Sequence, residues 1–187
     1  HDYVGPTTGT VRGASVIVNG GNNNQIGAST FNISDEGGNS RLAINVVGGK
    51  VGVAKGSTFN TYKDAIALYT ASGTEATLGT GTGTGRVTFN TYGSGSVVHN
   101  LGKTNLINSD FKYDTANNSA NLNYIYNEGE VNISGTSTFD IYKSSNGIYN
   151  TASGKVSDSG SIYYIHDDNA AGINNESNNA SAVTTNG

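Results

Sequence analysis

The chain of 187 residues has no cysteine, no methionine and no tryptophan, and its single proline is Pro6. Without sulfur there is no disulfide framework and no thiolate metal site. Charge is also scarce, with Asp, Glu, Lys and Arg making up 13% of the residues, well below the usual share. Ten scattered Lys and Arg against fourteen Asp and Glu leave a net charge of −4. That balance argues against a nucleic-acid partner or an anionic membrane. No apolar run approaches the roughly 18 residues of a helical membrane span, so no membrane insertion is expected. Helix is disfavoured as well. Gly, Asn, Thr and Ser together make 94 of the 187 residues, and these are poor or indifferent helix formers.

What remains is ordered along the chain. Apolar residues recur in short groups that alternate with period two, the signal of a half-buried strand. Phe31 with Ile33, Leu42 with Ile44 and Val46, Val51 with Val53, Val87 with Phe89, Val131 with Ile133, and Phe139 with Ile141 are the clearest. Gly, Asn, Ser and Asp separate them, as strand-ending turns require. The pattern predicts about fifteen short strands and no helix of useful length.

The groups also repeat. Displaced by 80 residues, Val51 falls on Val131, Val53 on Ile133, Ser57 on Ser137, Thr58 on Thr138, Phe59 on Phe139, Tyr62 on Tyr142 and Tyr69 on Tyr149. Weaker copies surround these two segments, and phenylalanine marks each one, at 31, 59, 89, 111 and 139. The intervals are 28, 30, 22 and 28 residues. Such a period predicts an all-β parallel β-solenoid with turns of 22–30 residues, three short strands to a turn. Phe31, Phe59, Phe89, Phe111 and Phe139 would form a core ladder, and stacking would bury what one turn cannot. An antiparallel β-sandwich is the alternative. Residues 1–10 read as a polar lead-in, 11–173 as the solenoid, and 174–187 as a polar tail or linker. The chain reads as a piece of a longer exported protein.

The segments VGVAKGSTFNTY and VNISGTSTFDIY resemble turns of the pectate-lyase-like β-helix modules of bacterial surface adhesins. The composition is similar to that of lactobacillar S-layer proteins. The resemblance implies adhesion, or a structural role in a self-assembling surface coat, outside a bacterial cell. Its partners would be further copies of the chain, or a host surface or glycan. Absent cysteine is compatible with a Gram-positive exterior.

Enzymatic alternatives on such a fold are polysaccharide lyases and glycoside hydrolases. A lyase needs a basic residue beside acidic Ca²⁺ ligands. Only Arg12, Arg41 and Arg86 among the arginines are available, and none lies in an acidic strand pattern. A hydrolase needs paired carboxylates. Asp110 and Asp140 flank core phenylalanines and are expected to point outward on equivalent strands. His166, Asp167 and Asp168 form the densest polar cluster, but strand neighbours face opposite sides. They read as a turn. The Gly-rich run at 77–85 lacks the following helix that a dinucleotide fingerprint needs. No catalytic residue, metal ligand or cofactor is therefore assigned, and the chain is not expected to be an enzyme. The candidates for ligand or assembly contacts are Tyr62, Tyr69, Tyr142 and Tyr149. They hold repeat-equivalent positions and offer rigid aromatic area.

Overall fold

Strands that alternate with period two but cannot each bury a face must stack on their own repeats. The computed structural model describes residues 14–34, 41–82, 84–116 and 121–186, and among them there is no helix. The lead-in at 1–10 and Arg12 lie outside the described residues. The chain winds as a β-solenoid with three parallel sheets. The first sheet takes β1 (Ala14–Asn19), β4 (Leu42–Gly48), β7 (Ile66–Thr70), β10 (Gly95–Asn100), β13 (Leu122–Asn127), β16 (Asn146–Asn150) and β19 (Ala171–Asn175). The second takes β2 (Asn24–Ile26), β5 (Lys50–Ala54), β8 (Glu75–Thr80), β11 (Lys103–Ile107), β14 (Glu130–Ser134), β17 (Lys155–Ser159) and β20 (Val183–Asn186). The third takes β3 (Thr30–Ser34), β6 (Thr58–Tyr62), β9 (Val87–Tyr92), β12 (Ser109–Tyr113), β15 (Thr138–Ile141) and β18 (Ile162–Ile165). Every strand pairs in parallel with its counterpart one coil away, so the antiparallel sandwich is excluded.

The sequence segment from residue 174 is not a tail throughout. β19 reaches Asn175 and pairs with β16, and β20 carries the second sheet to Asn186. Its polar side chains hid the strand signal, and only Val183 of β20 packs against the core.

The core is a set of parallel files. Phe31, Phe59, Phe89, Phe111, Phe139 and Tyr163 are in register on the third sheet, with successive centroids 4.5–5.1 Å apart and rings nearly parallel. All five phenylalanines are buried. Ile44, Leu68, Val98, Ile125 and Ile148 form the matching file of the first sheet, and Val53, Leu78, Leu106 and Ile133 that of the second.

The first sheet departs from strict alternation. Ala43 and Ile44, Ala67 and Leu68, Val97 and Val98, and Tyr124 and Ile125 are consecutive residues, yet all pack in one core. Pairing skips Ala43, Ala67 and Tyr124, which marks a bend in each strand. The bend turns Tyr124 toward the phenylalanine file, where its ring lies 5.5 Å from Phe111. Its hydroxyl donates to the Asp140 carbonyl oxygen at 2.5 Å. The next coils place Gly147 and Gly172 at this position. A Cβ on Gly147 would come 2.6 Å from the Gly172 carbonyl oxygen, so the site admits no side chain there.

A second file is polar, and buried from Asn100 to Asn150. At the corner between the first and second sheets, Asn100 donates to Asn127 (2.8 Å), Asn127 to Asn150 (2.7 Å) and Asn150 to Asn175 (2.8 Å). The same amides hold corner carbonyls, including those of Glu130, Lys155 and Gly154. Thr70 replaces asparagine one coil earlier, and Thr104 bridges the two chemistries by donating to Asn100 Oδ1 at 2.9 Å.

Two substitutions separate the files. Phe59→Ala is expected to lower unfolding free energy by about 3–5 kcal/mol, as for a buried ring. Asn127→Ala removes no large apolar volume but strands partners on both sides, at a cost of about 1–3 kcal/mol or more. Urea unfolding measures both. A loss below about 1 kcal/mol for Phe59→Ala would show that the aromatic file is not the core.

Candidate functional site

The outer faces carry aromatic files as well. Asn45, Tyr69, His99, Tyr126, Tyr149 and Asn174 are in register on the outside of the first sheet. His99 lies edge-on to Tyr69 and Tyr126, with centroids 5.4 and 5.1 Å away, and Tyr126 stacks on Tyr149 at 5.4 Å. Around the next corner, Tyr62 stacks on Tyr92 at 4.7 Å. Farther along the axis, Tyr142 leaves the core, where it lies 5.4 Å from the buried Tyr113, and stacks on the exposed His166 at 3.9 Å.

The structure therefore splits the four candidate tyrosines into two groups. Tyr69 and Tyr149 share one file, three coils apart. Tyr62 and Tyr142 belong to separate stacks near the end of the third sheet's strands. Tyr62 is 38% exposed, and Tyr69, Tyr142 and Tyr149 are half-buried. Sequence reasoning did not join His99 and His166 to these groups. The signal was available: His99 is 30 residues beyond Tyr69 and 27 before Tyr126, one coil in each direction.

Stacking decides what the files present. Rings stacked face to face along the axis each cover one face of the neighbour and leave their edges free. Tyr126, Tyr149, Tyr62 and Tyr92 are stacked this way. That geometry suits edge contacts and hydrogen bonds better than the face-on packing of a sugar ring. Carboxylates flank the first file: Glu128 lies 3.1 Å from His99 Nε2, and Glu176 accepts from the Tyr149 hydroxyl. That hydrogen bond raises the Tyr149 pKa above the usual phenol range.

Several of the other ionisable groups pair along the axis. Lys50, Glu75, Lys103, Glu130 and Lys155 occupy one position on five successive coils, with sign alternating at every step. Lys50 meets Glu75 at 2.8 Å and Lys103 meets Glu130 at 2.9 Å. The hydrogen bond to Lys50 holds Glu75 below the usual carboxylate range, assisted by Asn105. Asn132 and then Lys103 do the same for Glu130. Asp110 takes a bidentate contact from Arg86, at 2.7 and 2.8 Å, and accepts from Thr138 at 2.6 Å. Its partial burial pushes its pKa up, but these contacts outweigh that, and the net shift is downward.

Asp110 and Asp140 do not form a pair on equivalent positions. Asp110 precedes Phe111 and registers with Thr138, whereas Asp140 follows Phe139 and registers with Tyr164. Asp140 instead lies 3.5 Å from His166 Nε2. Asp167 accepts from the backbone N–H of Lys143, whose φ is +59°. Its carbonyl oxygen accepts from the Ala170 N–H, closing a turn. Among the described residues no group of three or more His, Asp or Glu is placed to hold a metal ion.

No protein-family model, curated protein or solved structure is matched by the chain.

The three lowered carboxylates fix a pH response. Each contributes stability that is complete above its ordinary pKa and is lost as pH falls through the lowered folded value. Thermal midpoints should therefore hold near neutrality and drop between about pH 5 and pH 3. Added salt should shrink the share owed to the exposed Lys–Glu pairs. In Asp110→Asn the acid drop should be smaller, with a lower starting midpoint. An unchanged midpoint down to about pH 3 would contradict the pairing.

Proposed function

We propose that this chain is a non-enzymatic structural or adhesive module of a bacterial cell surface, working through lateral contact along a rigid shaft. The observation that carries the reading is the outward file Tyr69, His99, Tyr126 and Tyr149, held in register by the first sheet. A parallel sheet fixes these rings before any partner arrives, so little rotamer entropy is lost on contact. The ionisable groups support the same reading. Lys50 with Glu75 and Lys103 with Glu130 line one pocket, but as ion pairs that neutralise one another between coils, and Arg86 neutralises Asp110 in the same way. The covered ring faces favour protein contact, including self-association into a coat, over sugar stacking. Weak contacts repeated along a shaft gain from multivalency.

The test is a double substitution in each group, Tyr126→Ala with Tyr149→Ala, and Tyr62→Ala with Tyr142→Ala. Light scattering over a concentration series should show weaker self-association, and binding to host cells or glycans should fall, with the thermal midpoint shifted by no more than about 4 °C. Turnover of pectin, alginate or a related glycan by the purified chain, abolished by Asp110→Asn or Asp140→Asn, would replace this reading with a lyase or hydrolase.

A further inference from the structure

Oxidation of this chain has few places to go. Cysteine and methionine, the usual first targets of oxidants, are absent, and so is tryptophan. Eleven tyrosines remain, and tyrosine is then the side chain that gives up one electron most readily. The first sheet sets three of them in one file, with His99 bridging Tyr69 to Tyr126. No step along the file from Tyr69 to Tyr149 exceeds 5.4 Å between ring centroids. Rings this close exchange an electron faster than they meet another molecule. Oxidation begun at any tyrosine of the file therefore moves to the one that holds it best.

The proton decides which tyrosine that is. A phenol that loses an electron becomes a strong acid, so its proton leaves in the same event, to a base already hydrogen-bonded to it. The corners that follow the first sheet place a carboxylate against the file twice, in the same way. Glu128 follows Asn127 and reaches back one coil to His99 Nε2 at 3.1 Å. Glu176 follows Asn175 and reaches back one coil to accept from the Tyr149 hydroxyl. Its own N–H is held by the Asn150 carbonyl oxygen at 2.8 Å. Tyr163 also donates to a carboxylate, that of Asp158 at 2.7 Å. Its hydroxyl is turned to a buried acid, however, and its ring packs on Phe139 at the core.

We propose that Tyr149 is a site of oxidative modification, where a phenoxyl radical raised by a peroxidase settles and couples covalently to a second phenol. In the first step an electron passes to the oxidised haem of the peroxidase, and the Tyr149 proton passes to Glu176. The radical then joins, through the ring carbon ortho to its oxygen, to the same carbon of a second phenoxyl radical. The hydrogens on those two carbons move to the oxygens and restore both phenols. The balance is two phenols and one hydrogen peroxide to one biphenol and two waters. A C–C bond forms, two C–H bonds and the O–O bond break, and peroxide is reduced. The ortho carbons lie on the ring edge, which stacking on Tyr126 leaves free. The site does not depend on lateral contact between copies, since a free phenol serves as the partner.

The probe is N-acetyltyrosinamide with a haem peroxidase and hydrogen peroxide, applied to the intact chain, with adducts mapped by peptide mass spectrometry. Exposure alone would put the label first on Tyr164 and Tyr62, which are 48% and 38% exposed. The expected first site is instead Tyr149, which is half-buried. Glu176→Gln keeps an acceptor of the same shape and removes the base. It should leave the thermal midpoint near that of the wild type and lower the Tyr149 adduct about tenfold or more relative to the Tyr62 adduct. Tyr149→Phe should move label to Tyr126 and Tyr69. Labelling in the order of exposure, a Tyr149 adduct unchanged in Glu176→Gln, or no gain at Tyr126 and Tyr69 in Tyr149→Phe would each overturn the proposal.

Discussion

Parallel stacking sets each residue about 4.8 Å from its counterpart in the next coil, so every file must be a chemistry that tolerates its own repetition. The structure meets this constraint in three ways. Aromatic rings stack face to face, from Phe31 to Tyr163. Asparagine carries donor and acceptor on one side chain, so Asn100, Asn127, Asn150 and Asn175 satisfy one another in series. Charged residues cannot repeat, because like charges one coil apart repel. They alternate instead, from Lys50 to Lys155. This is how a chain only 34% hydrophobic fills an interior: part of that interior is a hydrogen-bonded amide file.

A change of chemistry along a file follows the same rule. The apolar file of the second sheet runs through Ile133 and then changes to Asp158 and Thr185. Asp158 is 4% exposed. Its carboxylate accepts from Ser161 at 2.5 Å and from the Tyr163 hydroxyl at 2.7 Å. Tyr163 continues the aromatic file from Phe139, and both burial and its bond to Asp158 raise its pKa. Polar groups thus enter the core through one file of the second sheet, while Ile173 and Val183 keep neighbouring files apolar.

The phenylalanine spacing was sufficient to read the solenoid, because a large residue that recurs once per coil is visible without knowing the corners. The asparagine file was equally regular, at intervals of 27, 23 and 25 residues. It was hidden because asparagine is abundant in turns and most copies belong to no file. The bend that buries both Tyr124 and Ile125 was not legible, since it breaks the alternation on which strand reading depends. The outward aromatic files were only half visible. Tyr69 and Tyr149 matched through the 80-residue displacement, but His99 between them is a different residue type, and only register joins it to them. Asp110 and Asp140 do lie on neighbouring, equivalent strands, but two residues of offset put them in different files.

The alternating charge file gives the solenoid a parity. Duplicating or deleting a single coil between Lys50 and Lys155 would set two lysines or two glutamates against each other, whereas a change of two coils preserves every opposite-sign contact. The chain's own strongest internal repeat obeys this arithmetic. Its two copies lie three coils apart, an odd number, and although Val51 and Val131 or Phe59 and Phe139 coincide, Lys50 falls on Glu130. Growth of this fold by unequal copying is therefore constrained to even steps, or to odd steps that reverse the charge.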